Sequence, residues 1–139
     1  MANRFTKGKG LFGQIRTNGA VRANTLSVKT TVTTMTDAAE ALTAAMVVTN
    51  GGLLVGTPTA ARAKTVPTGA LTCASLSGYA VGDTFNVTFS NLAAATHALT
   101  VTAATGATIV GSAVVSAATS ATFRVRVSAA NTVVWYRSA

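Results

Sequence analysis

Apolar and polar residues alternate most regularly in the second half of the chain. In "TFNVTFSN", residues 84–91, the positions of Phe85, Val87 and Phe89 fall on one face of an extended strand and the polar residues fall on the other. The same period of two recurs in "HALTVTA" (97–103), "SATFRVRVS" (120–128) and "NTVVWYRS" (131–138). The apolar run "ALTCASL" (70–76) indicates one more strand.

Turn signals separate these segments at intervals of about 8 to 12 residues, which is typical of an antiparallel sandwich or barrel. "TIVG" and "AVVS" flank Gly111, which predicts a tight connection. The pattern therefore predicts an antiparallel β domain over residues 69–139. Its large inward residues are Phe85, Phe89, Phe123 and Trp135. A core this small is only marginally stable by itself, so we expect a cyclic oligomer that gains stability from identical neighbours.

Residues 26–68 show a different pattern. Leu26 and Val28 indicate an imperfect strand within residues 25–35. Asp37 followed by Glu40 has the spacing of a helix-capping box and precedes an alanine-rich stretch, which predicts one short helix over 37–46, ended by Asn50-Gly51-Gly52. Pro58 and Pro67 confine their neighbours to extended or turn geometry, so the remainder is predicted as a linking segment with one short strand.

Charge is concentrated at the start of the chain. Eleven Lys and Arg residues oppose three Asp and Glu residues, a net charge of +8 with His neutral. The first 29 residues hold six of these cations (Arg4, Lys7, Lys9, Arg16, Arg22 and Lys29) and no acid. We predict an extended basic arm over residues 1–25, in which single apolar residues such as Phe12 could anchor on a partner surface.

Residues that could carry catalysis are few. His97 stands alone at a strand start, Asp83 suits a turn, and Asp37 and Glu40 suit a helix start. Cys73, the only cysteine, lies in apolar sequence and is predicted to be a buried, inert thiol. No nucleophile elbow and no metal-ligand cluster is present in the sequence. We therefore predict a non-enzymatic protein without cofactor or metal, with no membrane span and no secretion signal, made in a reducing cytoplasm.

Nucleic-acid binding is a minor alternative on these residues. Arg124 and Arg126 share the outward face of one predicted strand, and we place Arg137 near them. Single-strand binding needs aromatic side chains among the cations. Phe123 points the other way, and we predict no aromatic residue on that face. Any contact with nucleic acid would be carried mainly by the arm.

Three stretches together resemble the decoration, or cement, proteins on the heads of tailed bacteriophages. They are "GTPTAARAKTVPTGA" (56–70), "SGYAVGDTFNVTFSN" (77–91) and the run from Thr96 to Arg137, so the resemblance covers roughly residues 50–137. The recurrent pieces are a "VGDTF" turn, a "TGATIVG" turn, the "ATSATFRVR" strand and the closing "NTVVWYR".

This resemblance implies a small β-sandwich or jelly-roll domain, a homotrimer, and a place on the outer capsid surface of the virion where major capsid subunits meet. It also implies that the N-terminal arm runs along the capsid lattice and locks its subunits together. The resemblance fixes no individual contact residues. From the charges and isolated apolar residues of the arm, we predict that the major capsid protein is contacted by Arg4, Lys7, Lys9, Phe12, Arg16 and Arg22.

A second hypothesis is a receptor-binding head fibre or spike module that recognises carbohydrate on the host surface. Such a site needs exposed aromatic side chains with polar neighbours. The candidates are Tyr79, Trp135 and Tyr136.

Overall fold

The computed structural model describes residues 31–49, 51–76 and 78–139. The predicted arm, with Arg4, Lys7, Lys9, Phe12, Arg16 and Arg22, lies outside the described residues. Within them the chain is rich in strands: β1 Val32–Thr34, β2 Glu40–Ala41, β3 Leu53–Gly56, β4 Arg62–Thr65, β5 Thr84–Asn91, β6 Leu99–Thr102, β7 Ala107–Val110, β8 Val114–Val115, β9 Thr119–Ala129 and β10 Thr132–Arg137. A single π-helical turn spans Ala45–Thr49, and the helix α1 spans Gly69–Ser75.

The strands form two mixed sheets, in the orders β1-β3-β5-β9-β10-β7 and β2-β4-β6-β8. From β1 to β6 the chain alternates between the sheets, so β1, β3 and β5 pair in parallel in the first, and β2, β4 and β6 pair in parallel in the second. Short bends lead from the first sheet to the second, and the π-helical turn and α1 lead back. The first six strands are thus three successive turns of one winding.

The rest of the chain completes both sheets with mostly antiparallel pairs. β9 pairs antiparallel with β5 and β10, and β8 pairs antiparallel with β6, whereas β7 adds to β10 in parallel. The predicted strand-rich character is confirmed. The predicted antiparallel pairing describes only part of the arrangement, because alternation along a strand reports which face is buried and not which strand lies beside it.

One hydrophobic core draws on the inward side chains of both sheets. Phe89, Phe123 and Trp135 are fully buried, as predicted, and Phe85 packs partly buried against them. The ring of Phe123 contacts Phe89 and Trp135 edge-on, with centroid distances of 5.7 and 6.3 Å. Edge-on geometry places the positive ring edge of one aromatic against the negative face of the next, which adds to the area they bury.

The predicted helix over 37–46 is wrong. Residues 37–38 form a bend, Glu40–Ala41 is β2, and the helical turn begins only at Ala45. The two carboxylates that suggested a capping box instead bond to residues of the next turn of the winding, Thr59, Arg62 and Lys64. Glu40 also accepts one local hydrogen bond, of 3.1 Å, from the Thr36 N–H, but the other bonds to the two carboxylates come from the neighbouring turn of the winding.

Two further predictions are corrected by the structure. "ALTCASL" is not a strand, because residues 69–75 form α1, and the Thr68 hydroxyl accepts a hydrogen bond of 3.2 Å from the Leu71 N–H as its N-cap. An apolar run this short does not separate helix from strand. The predicted linking segment contains two strands, β3 and β4, one in each sheet, where one was expected. The connection at Gly111 is short, as predicted, since residues 111–113 alone separate β7 from β8.

Candidate interaction surface

The residues that could carry chemistry lie apart from one another in the fold. Cys73 is buried in the core, as predicted. His97 is half-buried in the bend before β6, where its carbonyl accepts a hydrogen bond from the Asn91 amide. Asp83 accepts a hydrogen bond of 2.8 Å from the Ala80 N–H within one turn, as its sequence context predicts. Among the described residues, no group of three or more His, Cys, Asp or Glu could hold a metal ion.

The described ranges of the chain contain no helix long and apolar enough to cross a membrane.

Asp37 joins the first turn of the winding to the second. Its carboxylate accepts hydrogen bonds from Nε of Arg62 at 2.9 Å, and from the N–H and hydroxyl of Thr59 at 3.1 and 2.6 Å. The hydrogen bond from Arg62, followed by those from Thr59, holds the pKa of Asp37 well below its usual range. This carboxylate therefore stays charged and neutralises Arg62.

Lys64 points inward from β4 and is fully buried. Its ammonium donates to the backbone carbonyls of Thr36 and Ala38, at 2.7 and 3.0 Å, and to the Glu40 carboxylate at 2.8 Å. Three donors thus meet three acceptors, which is what a buried ammonium requires. Partial burial works to raise the pKa of Glu40, but hydrogen bonds from Lys64 and the Thr36 N–H outweigh it, and the net pKa is lowered.

The basic residues of the described part differ in whether they have a partner. Of the five basic residues in the described part of the chain, Arg62 and Lys64 are paired with carboxylates. Arg137 donates to the carbonyls of Ser112 and Val114. Neither Arg124 nor Arg126 forms an ion pair with any described residue. Sequence reasoning missed the pairing, because it depends on which turns of the winding are neighbours.

Arg124 and Arg126 are exposed on β9, as predicted, at the middle of the outer face of the first sheet. Arg137 does not lie beside them, which corrects the prediction. It is opposite Phe123 in the register, so its side chain starts from the other face of the sheet.

The outer face contains an exposed aromatic residue that the sequence analysis did not place there. Tyr136 of β10 is the register partner of Arg124, and it is 38% exposed. Residues directly opposite each other on one face of an antiparallel pair have neighbouring side chains. The available signal was the alternation in "TVVWYR": once Trp135 is inward, Tyr136 must be outward. The face that carries Arg124 and Arg126 therefore also carries an aromatic ring, contrary to the prediction from the sequence.

The rows across this sheet define the candidate surface, which we call the outer face. One row runs Asn86, Arg124, Tyr136, Val110, and the next runs Thr84, Arg126, Val134, Thr108. Further along, Val32, Leu53, Thr88 and Thr122 form a third row. Val32 and Val110 are 56% and 44% exposed. The outer face thus combines two cations, one aromatic ring and aliphatic groups on a background of hydroxyl and amide side chains.

The described residues also line two open depressions, and the first of them adjoins the outer face at Thr84. A cleft of about 230 Å³ is lined by Leu76, Tyr79, Asp83, Thr84 and Phe85. A shallower groove of about 440 Å³ lies between the bend before β6 and the link after β8, and only alanine, serine and threonine line it. Of the aromatic residues proposed for carbohydrate binding, Tyr79 lines the cleft and Tyr136 lies on the outer face. Trp135 is fully buried and is excluded as a contact.

No protein-family model, curated protein or solved structure matches this chain.

Proposed function

We propose that this protein is a non-enzymatic structural component of a phage virion, which decorates the outer capsid surface and stabilises the shell. In this role it binds across subunits of the major capsid protein as a homotrimer of jelly-roll-like domains, and the N-terminal arm acts as the lattice clamp. The resemblance of residues 50–137 to cement proteins suggests the role, and the distribution of charge supports it.

The observation that carries the proposal is the concentration of positive charge at the start of the chain. The first 29 residues hold six cations and no acid. In the described part, two of the three carboxylates are used internally, by Arg62 and Lys64. Most of the net charge of +8 therefore belongs to the first 29 residues, which suit a larger acidic partner.

Cement activity then needs only binding energy. A protein that binds the assembled shell and not its free subunits favours the shell by mass action. Many copies with modest affinity add through multivalency. Cofactor, metal and catalytic residue have no part in this mechanism.

Deletion of residues 2–24 tests the role of the arm. We expect the truncated protein to fold and assemble like the full chain, as measured by circular dichroism and light scattering, but not to bind shells assembled from the major capsid protein of the same phage. A version of the full chain with Arg4, Lys7, Lys9, Arg16 and Arg22 changed to Ser retains the length and should also lose binding. Full occupancy of shells by the truncated protein would refute the arm as clamp.

A receptor-binding module remains the second candidate, and one observation favours it. The cleft places a carboxylate, Asp83, beside the aromatic side chains Tyr79 and Phe85. Aromatic surface with a few placed polar groups is typical of small-ligand sites. Specific binding on a glycan array that is lost with Tyr79→Ala, together with failure to bind capsid shells, would favour this function over decoration.

A further inference from the structure

We propose that the outer face of the first sheet is a second interaction surface, separate from the arm, and that it binds an acidic patch on a different protein. The inference rests on the proposed function for naming that protein as the major capsid protein. Its chemical argument comes from the outer face alone.

The first step is the charge of the outer face. Arg124 and Arg126 are exposed two residues apart on β9, and no carboxylate occupies the rows to which they belong. Asp37 and Glu40 are held in ion pairs elsewhere, by Arg62 and Lys64, and Asp83 forms no ion pair with a described residue but accepts a hydrogen bond from the Ala80 N–H in the turn before β5. Within the part of the chain that the structure describes, the two guanidinium groups therefore have no ion-pair partner, and a planar guanidinium suits a carboxylate because it can donate two parallel hydrogen bonds.

The second step excludes the chain's own arm as the occupant. The first 29 residues carry six cations and no acid. An acid-free cationic segment laid across two unpaired arginines would bring like charges together without compensation. The arm therefore lacks the charge that the outer face needs.

The third step excludes a second copy of the chain. Each copy has three acidic residues, and two of these are paired with Arg62 and Lys64. A symmetric contact of two outer faces would place arginines against arginines, and a heterologous contact, as in a cyclic trimer, could offer only Asp83, which accepts a hydrogen bond from the Ala80 N–H within its own turn. One such carboxylate does not match two guanidinium groups. The partner is therefore a different molecule that carries its own anions.

The fourth step favours a protein over other polyanions. Tyr136 lies beside Arg124, and the aliphatic residues Val32 and Val110 are exposed on the same face. Arginine, tyrosine and exposed apolar groups, with few other charges, are typical of protein interfaces. A nucleic-acid backbone offers phosphates but nothing for the valines, and single strands need more than one aromatic platform.

The test compares two full-length variants of equal net charge. Arg124→Ser with Arg126→Ser removes two positive charges from the outer face. Leu71→Glu with Ser116→Glu adds two negative charges at exposed sites outside the face. We expect the first to bind capsid shells at least about tenfold more weakly than wild type in a sedimentation assay, and the second to bind within about twofold. Circular dichroism spectra like that of wild type and a cooperative thermal melt show that both variants are folded.

Tyr136→Ala should also weaken binding, because an aromatic contact contributes beyond charge. If wild-type protein coats shells and the arginine variant coats them equally well, the inference is wrong although the proposed function stands. If wild-type protein does not coat shells, the proposed function fails. In that case the inference is tested by measuring the binding of the same variants to a glutamate-rich peptide, heparin and a 30-nucleotide oligo-dT. If the arginine variant loses binding to the glutamate-rich peptide alone, the inference is supported. If it binds all three probes like wild type, or loses binding mainly to heparin or DNA, the inference is overturned.

Discussion

Gly69, the first residue of α1, lies against Gly106 so closely that no side chain could fit between them. A Cβ atom on Gly69 would overlap the carbonyl oxygens of Gly106 and Asn131, which belong to the backbone and cannot rotate away. The same contact is held by hydrogen bonds of 2.9 Å from the Gly69 N–H to Thr105 and from the Val133 N–H to Gly106. The start of α1 is thereby fixed to the loop before β7 and to β10.

Gly69→Ala is expected to destabilise the protein by about 3 kcal/mol or more, since the new methyl group must displace backbone. Gly56→Ala is the matched control. There the added Cβ would meet mainly the terminal methyl of Met35, at 3.2 Å, which is the flexible end of a side chain. We expect that variant to lie within about 1 kcal/mol of wild type. Urea denaturation of both measures the difference, and equal midpoints would show that the contact is not rigid.

The buried ion pair should behave as a coupled unit. Lys64→Met leaves the Glu40 carboxylate without its cation, and Glu40→Met leaves a fully buried ammonium without its anion. Each change should lower the free energy of unfolding by about 3 kcal/mol. The double variant should cost clearly less than the sum, because apolar groups of similar volume can replace a buried ion pair at little cost. Strictly additive losses in a double-mutant cycle would show that Lys64 and Glu40 act independently.

Acid should destabilise the protein through Asp37 and Glu40. The pKa values of both are lowered in the folded chain by the bonds from Arg62 and Lys64. A lowered folded-state pKa means that the unfolded chain binds protons first as the pH falls. The stabilisation is therefore complete above the unfolded pKa values of about 4, and is lost progressively at lower pH.

Urea titrations at pH 6, 4 and 3 measure this effect. Asp37→Asn with Glu40→Gln should reduce the fall in stability between pH 6 and pH 3, even though that variant is less stable at pH 6. An unchanged pH dependence in the double variant would assign the acid sensitivity to other groups.

Leu71→Glu is expected to stabilise the protein modestly. Leu71 lies in the first turn of α1, three residues after the N-cap Thr68, and is 57% exposed. A glutamate there completes a capping box and places a negative charge at the positive end of the helix, which contributes about 0.5 kcal/mol. Leu71→Lys, of similar length but opposite charge, should not stabilise it. Leu71→Glu should therefore melt at a higher temperature than Leu71→Lys. Identical melting temperatures would argue against an electrostatic effect.

The alternation along individual strands was sufficient to assign faces. Phe89, Phe123 and Trp135 were placed in the core, and Arg124 and Arg126 outside it, because the side-chain period of a strand is a local geometric property. The same rule located Tyr136 only after the inward position of Trp135 was certain. The composition, which contains one His, one Cys and three acids, limits the residues that could carry catalysis.

The tertiary structure alone decided which segments are neighbours. The winding brings residues 37–40 against residues 59–64, and this contact turns an apparent helix-capping pair into two ion pairs. The tertiary structure also decides that residues 69–75 form α1, although their apolar pattern is equally typical of a strand. Thr68 caps this helix, and Cys73 packs into the core. A sequence shows which side of each element is apolar, but pairing between distant strands is set by the total burial and hydrogen bonding of the folded chain. For that reason the free positive charge of the outer face could be recognised only after the partners of Lys64 and Arg62 were known.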